Sequence, residues 1–182
     1  MKIKFLLSAL LLFTLASCSD SIETVKVDGK YSIDLPSYLS KSDDLNKAAS
    51  LQYKNAMREF YVLVLDEPKE SFNKIVDEGE LDYEKNLNGY SEILADDIAK
   101  SSGLETTPKM QQTTINNLKA RILEFDGIVD NVTIHWKIAY LEGKNRYYQV
   151  LTWTIPGKTE DNGEAMMAIL KSFKETDKSK RH

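Results

Sequence analysis

The chain has 182 residues, 28 acidic and 24 basic, a formal charge of −4, 42% hydrophobic residues and one cysteine. An acidic balance without a long basic run argues against nucleic acid as a partner and against a polybasic membrane patch. A single cysteine excludes a disulfide framework, and the length suits one domain that can build a core without disulfides or metal.

Residues 1–17 have the parts of an export signal. Lys2 and Lys4 make a positive start, Phe5 to Ala16 is apolar apart from Ser8 and Thr14, and Ala16 and Ser17 precede Cys18. That run is shorter than the about 20 residues a helix needs to cross a hydrocarbon core, so a cleaved signal is the better reading. Leu15-Ala16-Ser17-Cys18 resembles the lipobox of bacterial lipoproteins. The resemblance implies cleavage before Cys18, acylation of its sulfur and amino terminus, and the membrane as a partner. The alternative is an ordinary signal with a leftover thiol that has no partner in its own chain. Loss of Lys2 and Lys4 with the signal takes the formal charge from −4 to −6. In lipoproteins of two-membrane bacteria, aspartate after the cysteine often retains the protein at the inner membrane. Ser19 stands there instead, so the resemblance implies a cell-envelope protein of the outer membrane. Residues 18–30 read as a tether, part of which can form a first strand. Asp20-Ser21-Ile22 is similar to a short bacterial O-glycosylation motif, which would modify Ser21; a solvated tether is the other reading.

The domain is expected over residues 31–175. Tyr31-Ser32-Ile33-Asp34-Leu35 alternates apolar and polar residues before Pro36, which predicts a half-buried strand. Ala49 to Asn55 predicts a second. Arg58 to Asp66 is apolar on both parities, as in a strand covered on both faces. Phe72, Ile75 and Val76 make a short helical stripe before Gly79. Tyr83, Leu87, Tyr90, Leu94 and Ile98 predict a longer amphipathic helix that stops at Ser102-Gly103. Lys109 to Ile115 and Leu118 to Ile128 are strands about an Asn116-Asn117 turn, since Asn tolerates positive φ. Val132, Ile134, Trp136, Ile138 and Tyr140 line one face of the next strand. Tyr147, Leu151, Trp153 and Ile155 share a parity in the last, after the Gly143-Lys144-Asn145 turn. Met166, Ile169, Leu170 and Phe173 mark a final helix, with Asp161 or Asn162 as its cap and Glu164 in its first turn. Residues 176–182 read as a frayed basic tail.

Consecutive strands with short turns pair antiparallel, and a strand apolar on both sides needs cover on both faces. The expected fold is α+β, a central antiparallel sheet of six or seven strands with helices on both faces. At this level the chain resembles the PsbP-like superfamily, through Tyr31 to Pro36, Ile115 to Ala120, Tyr147 to Trp153 and Ile169 to Lys174. These strings span nearly the whole domain and are structural patterns, not catalytic motifs. The family includes the extrinsic photosystem II protein PsbP, a eukaryotic Ran-binding protein of the Mog type and bacterial DcrB-type lipoproteins. The resemblance implies an α/β/α sandwich and binding or assembly roles, including chaperone-like holding of apolar segments. Where the family pattern has a glycine near the turn, this chain has Asn117.

Catalytic chemistry has little to draw on. His135 and His182 are the two histidines, and His182 ends the sequence. His135 has the parity opposite to Trp136 and reads as a residue of a more polar strand face. A hydrolase with His135 as base would need a carboxylate within reach, and no Gly-x-Ser-x-Gly turn accompanies it. One useful histidine makes a poor zinc set, and the Asp126–Asn131 and Glu160–Glu164 stretches fit strand end and helix start better than calcium loops. No phosphate loop or dinucleotide fingerprint is present, so neither cofactor nor metal is expected. Aromatics are the remaining feature. Tyr147, Tyr148 and Trp153, facing Trp136 and Tyr140 across the turn, predict a cross-strand cluster. It reads as core packing or as an apolar groove rimmed by Arg121, Lys137 and Arg146. Functionally the sequence points to a non-enzymatic, lipid-anchored module that binds an unidentified protein. A module for a small ligand or lipid, with an enclosed pocket beneath the last strand and the long helix, is the alternative.

Overall fold

The computed structural model describes residues 21–79 and 82–180, so Cys18 and His182 fall outside the described residues. In chain order the elements are β1 (Ile22–Val27), β2 (Tyr31–Pro36), β3 (Ser40–Lys41), β4 (Leu51–Asn55), β5 (Phe60–Pro68), α1 (Lys69–Asp77) and α2 (Leu87–Ser101). Then come β6 (Gln111–Ile115), β7 (Leu118–Val129), β8 (Val132–Glu142), β9 (Arg146–Thr154), a 3-10 turn at Pro156–Lys158, α3 (Thr159–Ser172) and β10 (Lys174–Glu175).

Seven strands form one antiparallel sheet in the order β3-β4-β5-β9-β8-β7-β6. Its two faces carry separate cores. Leu63, Leu123, Ile138 and Leu151 pack beneath Phe72 of α1 and Leu87, Tyr90 and Ala95 of α2. Val62, Val64, Ala139, Leu141 and Val150 pack beneath Met166, Ile169 and Leu170 of α3 and Tyr31, Ile33 and Leu35 of β2. Helices therefore cover both faces, and β5 is apolar on both parities because it lies inside the sheet, between β4 and β9.

The remaining strands form a second, three-stranded sheet, β1-β2-β10. Tyr31 to Leu35 belongs to this small sheet, and the seventh strand of the large one is the short β3. Much of the expected tether is also strand, since Ile22 to Val27 pairs along all of β2. This is the first strand that the sequence allowed within the tether; its first three residues are exposed, and Val25 and Val27 are partly buried against the core.

Local chemistry explains the boundaries. Asn86 starts α2 by accepting the N–H groups of Asn88 at 2.8 Å and Gly89 at 3.2 Å. Tyr83 lies before the helix and donates to Asp96 at 3.3 Å. Asn116 and Asn117 both take positive φ, 46° and 68°, as a two-residue type I′ hairpin requires. A Cβ on Gly127 would collide with Ser102, so glycine lets the end of α2 close onto β7. The start of α3 differs from expectation. The helix begins at Thr159, Asp161 pairs with Lys158 at 3.1 Å, and Asn162 is buried. Asn162 donates to the Arg58 carbonyl at 3.0 Å and Thr154 Oγ1 at 2.9 Å, a tertiary role instead of a cap.

Candidate functional site: a charged cleft at one end of the sheet

Strand direction divides the molecule into two ends. At one, the β1–β2 turn, the start of α1, the β8–β9 turn and the segment after β10 converge on an open cleft of about 1190 Å³. Five cations line it (Lys30, Lys69, Lys74, Lys144, Arg146), matched by Asp28, Glu70, Asp77, Glu78 and Asp177. A lining balanced in sign does not concentrate a ligand of a single charge; it suits one that carries both.

Its walls are held by paired charges. Asp66 ends the inward row Phe60, Val62, Val64 of β5, and its side chain is only 3% exposed. Lys30 Nζ lies 2.9 Å from its Oδ2, and Arg146 Nη2 lies 2.5 Å away. Burial opposes the charge. The Ser50 hydroxyl, Lys30 and Arg146 outweigh it and hold the carboxyl below its ordinary range. On the other face Lys69 donates to Glu142 at 2.9 Å and sits 5.2 Å above the Tyr147 ring. Glu142 is likewise lowered: burial pushes it up, and Lys69 and Lys119 more than offset that. Glu67 is raised by burial, with Arg146 only partly opposing.

The tail closes the rim. Glu175 accepts the Lys144 N–H at 2.9 and 3.0 Å and the Tyr148 hydroxyl at 3.1 Å. Thr176 N–H donates to the Lys30 carbonyl at 2.8 Å, and Asn145 donates to Ser179 Oγ at 2.9 Å and the Lys180 carbonyl at 2.8 Å. Lys144 Nζ also donates to the Ser179 carbonyl. The described part of the expected frayed tail is therefore tied to the β8–β9 turn.

The aromatic surface expected from the sequence divides differently. Tyr147 and Tyr148 are 2% and 0% exposed and point to opposite faces, so neither lines a groove. Tyr147 stacks on Tyr90 at 4.4 Å and meets Phe72 edge-on, which fills the space beneath β9 and α2 where the small-ligand alternative requires an enclosed pocket. Its hydroxyl is pushed up to about 12, by burial first and then by Glu142. Tyr148 packs with Tyr31 and Phe173, and burial with Glu175 raises it further. Trp136 and Trp153 do pair across strands, at 5.1 Å. Tyr61 and Phe125 extend them into a row over four strands, Tyr61-Trp153-Trp136-Phe125.

The three basic residues expected at one rim are separated. Arg121 joins β7 to α2 through the Asn88 carbonyl, Ser91 Oγ and Glu92, at 3.1, 2.9 and 3.0 Å. Lys137 pairs with Glu124 at 2.9 Å on the opposite face, and only Arg146 reaches the cleft. His135 does meet a carboxylate, its Nδ1 being 2.7 Å from Asp126. Its Nε2 faces Glu124 at 3.5 Å, and Glu124 also pairs with Lys137 at 2.9 Å. Ser21 hydrogen-bonds Ser37 Oγ at 2.7 Å at the start of β1. Among the described residues no three metal-ligating side chains are placed to hold an ion, and no helix is long and apolar enough to cross a membrane. Asp66, Lys69, Glu142 and Asp177 escaped the sequence reading. Asp66 alone left a signal, as an acid at an inward strand position.

No family model matches the chain, and no curated protein matches it in sequence. The solution structure of cyanobacterial PsbP (CyanoP) from Synechocystis sp. PCC 6803 superposes with a TM-score of 0.62 at 12% identity, covering 88% of this chain and 98% of that one. The domain has a PsbP-like fold. A Bacteroides thetaiotaomicron crystal structure (TM-score 0.49, 8% identity) matches 81% of this chain and 46% of its own. A Pseudomonas aeruginosa protein of unknown function (TM-score 0.48, 10% identity) matches 83% and 94%.

Proposed function

We propose that the protein is a lipid-anchored component of the cell envelope that binds a segment of another protein in the charged cleft and carries out no reaction itself. The observation that carries the binding reading is the cleft, whose walls are fixed by ion pairs before any ligand arrives. Preformed walls lower the ordering cost of association. The lining favours a polar segment with charges of both signs over the apolar segments implied by the family resemblance. The anchor rests on Leu15-Ala16-Ser17-Cys18 and on Ser19, which favours the outer membrane in a two-membrane cell. The ring packing at Tyr90 and Tyr147 gives a small-ligand reading no support.

A photo-crosslinking residue at Glu70 or Lys144, in cells, should trap one common partner, whereas one at Lys171, outside the cleft, should not. Exchanging the rim charges with Glu70→Lys and Lys74→Glu should reduce that adduct about tenfold or more while the unfolding midpoint stays in place. Equal adducts from all three positions, or an adduct indifferent to the exchange, would remove the cleft from consideration.

A further inference from the structure

Among the described residues, Ile22, Met57, Ile128 and Val132 are the exposed large apolar side chains, at 61, 95, 57 and 49%. They come from three separate parts of the chain, yet the topology brings them to one end. Tyr61, Trp153, Trp136 and Phe125 are in register across the sheet. Met57 lies in the turn just before Tyr61, between Asn55 and Phe60. Ile128 and Val132 flank the Asp130-Asn131 hairpin tip, beyond Phe125 and Trp136 on the same side of that row. Ile22 joins them because it pairs with Pro36, and the chain after Pro36 is held to this end by Asn55, whose side chain donates to the Tyr38 carbonyl at 2.8 Å.

The chain also enters here. Ser21 accepts the Ser37 N–H at 2.8 Å, and only Ser19 and Asp20 stand between it and Cys18 in the sequence. Three residue steps reach at most about 11 Å. A lipid on Cys18 therefore holds this end, not the cleft end, against the bilayer.

We infer that Met57, Ile128, Val132 and Ile22 form a membrane-facing surface that enters the lipid interface and fixes the orientation of the domain. This rests on the reading of Cys18 as acylated. Apolar tips beside a short tether gain by burial without a costly approach, since the anchor has already removed most of the translational freedom. Among the described residues the cations at this end are engaged: Arg58 lies over the Tyr38 ring, Lys158 pairs with Asp161 and Lys54 with Asp44. The contact is thus apolar and independent of anionic lipid. The cleft then points away from the membrane, on the order of 35 Å out, the length of a strand such as β7.

The test uses the processed full chain, purified from membranes and reconstituted in phosphatidylcholine vesicles. Met57→Cys, Val132→Cys and, at the cleft end, Lys74→Cys are each labelled with an environment-sensitive dye. Nitroxide lipids should quench the dye at the first two positions at least about threefold more than at the third, with no change on adding phosphatidylglycerol. Equal quenching at all three overturns the inference, as does quenching that appears only with the anionic lipid. The mass of the amino-terminal peptide separates the causes. An acylated chain with equal quenching sinks the orientation alone; a chain without acyl groups sinks the anchor and the orientation together.

Discussion

A buried carboxylate at the end of a central strand is costly unless its charge is answered. Asp66 is answered by Lys30, Arg146 and Ser50, and its carboxyl is held below the ordinary value of about 3.9. A depressed folded value gives stability that is complete above the unfolded value and is lost as pH falls through the folded one. Asp66→Asn leaves Lys30 and Arg146 without their partner. It should lower the unfolding free energy by about 2–3 kcal/mol at pH 7, less than for a fully buried pair, because both cations keep some access to water. In urea titrations the gap between the variant and the natural protein should narrow as pH drops below about 4. A constant gap down to pH 2 would show that the carboxylate charge is not what Asp66 contributes. Tyr148 illustrates a different constraint: with no exposure and contacts to Tyr31 and Phe173, its removal would damage the core before it could report on binding.

The β6–β7 hairpin shows how one turn serves two elements. Asn116 and Asn117 share the positive φ that a type I′ turn imposes, but their side chains differ in use. Asn116 Nδ2 donates to the Lys171 carbonyl at 3.1 Å and the Phe173 carbonyl at 2.8 Å, satisfying the end of α3. Asn117→Gly should therefore be neutral or stabilising by about 0.5 kcal/mol, because glycine adopts this conformation freely. Asn116→Gly keeps the turn and loses both bonds, and should cost about 1–2 kcal/mol. Thermal unfolding of the two variants separates these effects; equal midpoints would mean that the link to α3 contributes nothing.

For the whole molecule, the long axis of the sheet separates the end where the chain enters from the end where the charged cleft opens. In a lipid-anchored protein this polarity presents the cleft to the surrounding compartment. Cys18→Ala should release the protein from membranes or leave it as an uncleaved precursor, read by fractionation and by the mass of its amino terminus. A variant that still sediments with membranes in processed form would remove the anchor from the functional reading.

Periodicity made most of the fold legible. The double-sided apolar run of β5, the alternation in β8 and β9 and the helical stripes of α2 and α3 depend on contacts that each element makes along its length, and local residue spacing records those. Strand β1 was legible only as a possible part of the tether, because it pairs through its backbone and only Val25 and Val27 pack, partly, against the core. The tail was hidden because its hydrogen bonds are to the β8–β9 turn, over thirty positions away. The aromatic residues were legible as a pair, Trp136 with Trp153. The separation of Tyr147 from Tyr148 onto opposite cores follows from strand parity, yet only packing decided that both would be covered. The cleft was not legible. Lys30 and Lys69 are ordinary surface cations in the sequence and Arg146 was expected at an aromatic rim; they come together because antiparallel pairing brings a turn, a helix start and a hairpin to the same end of the sheet. The sequence by itself determined the long elements, whose spacing along the chain records the face that each one buries. The tertiary structure decided which charges meet, because ion pairs act through space between residues whose spacing along the chain carries no record of it.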